Sequence, residues 1–158
     1  MSLLPFFQWC EHTLVGTVVR DSTWMFPIIE VFHILALGFL GGAVLLVDLH
    51  VLGVRLPGAR VRRLVTETAP VLVWALVVIS VSGVLLFLSE ATKCYDNPAF
   101  WVKMWLFLFA LAFTFTVHNR VLANTNVSVP GASARSVAVV SLVLWLGVGV
   151  AGRGIGFW

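Results

Sequence analysis

Residues 24–52 read WMFPIIEVFHILALGFLGGAVLLVDLHVL, and the fold follows from this stretch. It is apolar apart from Glu30, His33, Asp48 and His50, and it exceeds the roughly 20 residues that cross a bilayer core of about 30 Å. A helix this long must tilt or project beyond the hydrocarbon. Ionisable groups are expensive at membrane depth and persist there when paired, hydrated or functional. At about 100° of turn per residue, positions 30 and 48 share one azimuth, with His33 within about 60° of both. The pattern predicts a polar stripe on this helix that faces something other than lipid.

The rest of the chain repeats the apolar signal. Of its 158 residues, 60% are hydrophobic and 11% charged, and the mean hydropathy is +1.03. Such a chain is far more apolar than a soluble domain. Further spans are predicted over residues 71–88, 100–121 and 137–151, the last continuing through Gly152-Arg153-Gly154 with the arginine snorkelling. The expected fold is a single all-α domain, an integral membrane four-helix bundle. Residues 3–19 alternate apolar and polar positions and predict an amphipathic interfacial helix. They lack the basic start and unbroken apolar run of a secretory signal. Asp21, Ser22 or Thr23 is expected to cap the first span, and Asn97-Pro98 to start the third. Pro70 is expected to divide a wet turn from the second span. The segment 124–133, rich in Ser, Asn and Gly, is the most loop-like.

Charge gives an orientation. The loop VRLPGARVRR carries Arg55, Arg60, Arg62 and Arg63 without an acid, and the loop after span three holds Arg120 and Arg135. On the other side Arg20, Lys93 and Arg153 are diluted by Glu11, Asp21, Glu90 and Asp96. The loop-charge rule puts the arginine loops in the cytoplasm and both termini in the periplasm of a bacterial inner membrane. A net charge of +3 spread along the chain gives no nucleic-acid footprint. No aqueous loop carries a nucleophile–base constellation, which excludes a soluble hydrolase.

Two polar constellations remain. Glu30 and His33 lie near the outer edge of span one, Lys103 enters span three at similar depth, and Arg153 closes span four on that side. Either this is an ion-pair cluster, Glu30 with Lys103 or Arg153, or it is a pocket in which His33 coordinates haem iron while the cations hold acidic groups. Asp48 and His118 form a second expected pair at the inner end. His50 points about 160° from the stripe, toward the headgroups, and a His33–Met104 haem is a minor alternative. No HxxxH, CxxC or HExxH spacing occurs. The tryptophans are assigned to an aromatic belt. The glycines of span one (Gly38, Gly41, Gly42) and span four (Gly147, Gly149, Gly152, Gly154, Gly156) are assigned to small-residue faces for close helix approach or self-association. Cys10 and Cys94 both fall on the outer side, where a disulfide is permitted; two free thiols are the expectation, because sequence alone does not fix their separation.

The series W-x-x-P-x-x-E-x-x-H (Trp24, Pro27, Glu30, His33), then D-L-x-x-L-G from Asp48 to Gly53, S-E-A, N-P-A-F, Lys103, His118 and a terminal G-R-x-I is similar to an uncharacterised family of bacterial four-span membrane proteins. The similarity covers essentially the whole chain. It implies Glu30, His33, Asp48, Lys103, His118 and Arg153 as motif positions. Where this chain has His50 the family commonly has arginine, which speaks against His50 as a ligand. The function expected is a small redox-type module binding haem b or a quinone headgroup near the outer leaflet. The alternatives are a non-catalytic subunit of a larger membrane complex, or a proton or ion pathway through Glu30, His33, Asp48 and His118.

Overall fold

In a computed structural model, residues 3–54, 61–118, 120 and 131–157 are described; Arg55, Arg60 and residues 124–130 of the loop segments lie outside them. Two short helices, α1 (Leu4–Glu11) and α2 (Leu14–Asp21), precede α3 (Met25–Leu52) and α4 (Val61–Ser89). After α5 (Ala91–Asp96) come α6 (Pro98–Phe113), a π-helical turn (Thr114–His118), α7 (Ala132–Gly154) and a closing 3-10 turn (Ile155–Phe157). Four of these helices are long and apolar enough to cross a membrane: α3, α4, α6 with its π turn, and α7. At most 28% of the residues in any span's core window are buried inside the protein. The greater part of the apolar surface therefore faces outward, as a bilayer requires.

Local chemistry sets the boundaries. Asn97 Oδ1 accepts from the N–H groups of Ala99 and Phe100, and Pro98 occupies the first turn of α6, where its missing N–H costs nothing. Ser22 Oγ accepts from Met25 N–H at the start of α3. Gly53, with φ of +119°, closes α3 in the left-handed conformation that glycine tolerates. The single interfacial helix expected over residues 3–19 is instead two helices. Thr13 ends the first, its hydroxyl donating to the Cys10 carbonyl, and caps the second by accepting from Gly16 N–H. Pro70 does not divide turn from span: α4 runs through it. One missing N–H removes a single helical bond, and the apolar run beyond favours a continuous helix.

α3 packs on α4 and α7, and α6 packs on α7. The core joins Ala36, Leu40 and Val44 of α3 to Leu72, Ala75, Leu76 and Ile79 of α4, Ala110 of α6, and Trp145 and Val148 of α7. A second cluster sets Val47 and Val51 against Ala134 and Ala138. Trp145 is therefore a core residue, not part of an aromatic belt: it is 7% exposed and its Nε1 donates to the buried Thr114 Oγ1 at 3.1 Å. Phe7, Cys10 and Ala91 form a third cluster with Phe87, Tyr95, Phe100 and Trp101, which pins the N-terminal helices to the end of the bundle carrying both termini. Glu11 fastens that cap, accepting from Thr92 N–H at 2.8 Å, from the Thr92 hydroxyl and from Arg20 Nη1 at 3.0 Å.

Candidate functional site

α3 carries a polar centre at each end. At the end with the termini, His33 is half-buried and its Nδ1 lies 2.8 Å from Ser82 Oγ of α4. Ser82 Oγ donates to the Val78 carbonyl at 2.5 Å, so its oxygen accepts from the ring. The Ile79 carbonyl, also beside the ring, can only accept. The Ser82–Val78 bond favours the Nδ1–H tautomer of His33, and no hydrogen bond to its Nε2 forms among the described residues. The glycine after Ser82 makes room for the ring: a Cβ on Gly83 would stand 3.3 Å from His33 Cε1.

Lys103 comes to the same region from α6. Its chain runs along Gly152 of α7, where an added Cβ would meet Cε at 3.5 Å and Nζ at 3.6 Å. The half-buried ammonium is within electrostatic reach of the His33 ring and the Cys94 thiol, and has no hydrogen-bond or ion-pair partner among the described residues. Arg153, next to Gly152, is exposed and stands at the mouth of a cavity of about 360 Å³ between α3 and α7. Glu30 does not join them. It is exposed and makes no ion pair among the described residues, so neither a Glu30–Lys103 nor a Glu30–Arg153 bridge forms. The shared azimuth of Glu30 and Asp48 does not give them a shared environment. A straight helix drifts about 20° per heptad from a partner-facing seam, roughly 50° over these 18 positions.

The other end of α3 holds a buried pair. His118 Nε2 lies 2.7 Å from Asp48 Oδ1, with both side chains shielded from solvent. The π turn at Thr114–His118 widens the end of the third span, and such turns are frequent at functional positions. Asp48 Oδ2 and the buried Ser141 Oγ have no hydrogen-bond partner among the described residues. Between the two centres the bundle is filled by Ala36, Leu40, Val44, Leu76 and Trp145. Among the described residues this apolar layer separates His33 from Asp48. His50 hydrogen-bonds the Val54 carbonyl at its own helix end, and Met104 is turned outward.

The sequence of a family of unknown function, DUF6644, matches residues 6–158. The chain belongs to this family. No curated protein and no solved structure matches it. The DUF6644 chain leaves Cys10 and Cys94 as free thiols in the aromatic cluster, the expected alternative to the permitted disulfide. Burial, reinforced by the Glu90 carboxylate, pushes the Cys94 thiol up to about 11.

Ser82, Gly83 and Gly152 at the first centre, and Thr114, Ser141 and Trp145 at the second, were not singled out as site residues from the sequence. The Ser82-Gly83 pair inside a β-branched span was the available signal, because it interrupts packing without supplying a turn. The glycines also divide. Gly147, Gly152 and Gly154 meet Leu106, Lys103 and Ala99 across the α6–α7 contact, whereas Gly38, Gly41 and Gly42 face open space.

Proposed function

We propose that this DUF6644 protein is a small membrane redox-type module that binds a quinone headgroup through His33 and Lys103. The observation that carries the reading is two side chains within electrostatic reach of each other, His33 and Lys103, whose Nε2 and Nζ make no hydrogen bond among the described residues. A carboxylate or fully ionised phosphate offers only acceptors, which suit the Lys103 donor and not a lone pair on His33 Nε2. A quinone carbonyl accepts from Lys103, and a hydroquinone hydroxyl donates to His33. Haem b fits this donor set less well. His33 is the single histidine at this level, Met104 faces outward, and His118 is engaged by Asp48 at the far end. The arginine loops favour a bacterial inner membrane with both termini periplasmic and this site toward the outer leaflet.

A second reading has its own support. A Cβ on Gly38, Gly41 or Gly42 would meet nothing within 4 Å among the described residues, and small residues on an exposed span favour close approach of another helix. That favours an accessory role in a larger complex, or self-association.

The test is binding of a tail-less hydroquinone to the purified protein in phosphatidylcholine nanodiscs. Loss of one hydrogen bond of about 1–1.5 kcal/mol predicts roughly tenfold weaker binding for His33→Ala and for Lys103→Met, with His50→Ala unchanged. Absence of binding to the wild type refutes the reading. A reduced-haem absorption band that disappears in His33→Ala would replace it with haem ligation.

A further inference from the structure

Asp48, His118 and Ser141 come from three different spans and share one interval of the bundle. On α3, Val44 and Val51 stand one turn to either side of Asp48; on α7, Ala138 and Trp145 stand one turn to either side of Ser141. Val44 and Trp145 belong to one packed apolar cluster, and Val51 and Ala138 to the other. Both polar residues are therefore held between the same two apolar layers. The π turn brings His118 to Asp48 one turn beyond Thr114, which itself accepts from Trp145 Nε1.

Ser141 departs from the pattern of other hydroxyls in the spans. Thr68, Ser82, Ser89, Thr116 and Ser136 each donate to a carbonyl three or four residues earlier on their own helix. Ser141 is 1% exposed, yet its Oγ makes no such bond, and Asp48 Oδ2 is likewise without a partner among the described residues. Two shielded oxygens in one interval each carry a desolvation cost that a shared hydrogen-bonding ligand would remove.

We propose that this interval is a binding site for a single water molecule, which joins Asp48 Oδ2 to Ser141 Oγ and so ties α7 to the Asp48–His118 pair. A carboxylate oxygen asks for a donor, and a hydroxyl serves as donor or acceptor; water meets both, wherever the proton of the pair resides. A buried water makes about three hydrogen bonds to otherwise unsatisfied groups. A hard cation takes about six oxygens, far more than the two without a partner here among the described residues. The apolar layers separate this site from the His33 centre, so it is independent of whatever binds there.

A high-resolution crystal structure of the wild type grown from a lipid phase should show one oxygen within about 2.7–3.2 Å of both atoms. Ser141→Val replaces the hydroxyl by two methyl groups and fills the site. With the water displaced and Asp48 Oδ2 left without a donor, the folding equilibrium in mixed micelles should fall about tenfold. The same substitution in an Asp48→Leu/His118→Leu background should be neutral or stabilising, because no carboxylate is stranded there. Exchanging sodium for choline in the buffer should change neither result. A crystal structure in which the two oxygens bond each other, or have no atom between them, overturns the assignment. So does a loss of equal size in both backgrounds, which is overpacking alone, or no loss in either. Stability that depends on sodium overturns water in favour of a monovalent cation.

Discussion

Replacing Asp48 and His118 singly and together asks whether the inner pair is coupled. Their contact is 2.7 Å long and shielded from solvent, yet Asp48 Oδ2 has no partner among the described residues, so the pair starts with a desolvation cost of about 1–3 kcal/mol. Whichever atom carries the shared proton, Asp48→Leu leaves the imidazole without its carboxylate, and His118→Leu leaves the carboxylate without its ring. Breaking one side of a buried pair costs about 3–5 kcal/mol. Converting both to leucine removes the unmatched group and the orphaned oxygen together, and such replacements are often neutral or stabilising. The double variant should therefore be no less stable than either single one, giving a coupling energy of about 3 kcal/mol or more. An ordinary hydrogen bond between membrane helices is coupled by only about 0.6 kcal/mol. Reversible unfolding of purified protein in mixed micelles, followed by circular dichroism as sodium dodecyl sulfate is raised, measures all four corners of the cycle. Additive single losses, or a coupling below about 1 kcal/mol, would refute the claim that this pair is more than a neutral interhelical bond.

Three further outcomes follow from the N-terminal cap. Gly16→Ala should destabilise by about 1–3 kcal/mol, because a Cβ there would stand 2.5 Å from the Leu88 carbonyl oxygen and 2.9 Å from that of Glu11; a thermal shift in the same micelles reads it. Burial raises the Glu11 carboxyl, but the Thr92 hydrogen bonds and then Arg20 outweigh it, holding Glu11 below its ordinary value. Its contribution is therefore present above the unfolded carboxylate pKa and is lost as pH falls through the folded one. Hydrogen-exchange protection of α1 and α2, taken relative to the intrinsic rate at each pH, should fall below about pH 4, and Glu11→Gln should show that loss of protection already at neutral pH. With the Cys94 thiol at about 11, about one molecule in a thousand is thiolate there at pH 8. Alkylation of Cys94 should be slow in folded protein and fast after denaturation, and non-reducing electrophoresis of wild type and Cys10→Ala should coincide.

The four spans were legible because membrane burial demands a long apolar run, and that demand acts on composition residue by residue. Interruptions were harder to interpret. Pro70 looked like a boundary because proline removes a helical bond, but a bilayer penalises an unwound segment more than it penalises one missing N–H. The π turn at Thr114–His118 has no propensity signature at all. Thr114, Phe115, Thr116 and Val117 fit an α-helix equally well, and the wider turn makes sense only with Asp48 on α3 and Trp145 on α7 in place to take up His118 and Thr114.

The polar residues of α3 show where periodicity stops being informative. Azimuth put Glu30, His33 and Asp48 on one face, but a face is defined by its neighbours, and these change along the helix. Asp48 meets the π turn and is buried, His33 meets α4, and Glu30 is exposed. What decides the outcome at each level is whether the opposing helix offers volume and a hydrogen-bond partner. At His33 both come from two consecutive residues, Ser82 for the bond and Gly83 for the space. At Lys103 the space comes from Gly152, and no bonding partner accompanies it among the described residues. A glycine that admits a charged chain without a bonding partner among the described residues gives no stability of its own, which is why the quinone reading proposed above assigns Lys103 and His33 to one ligand.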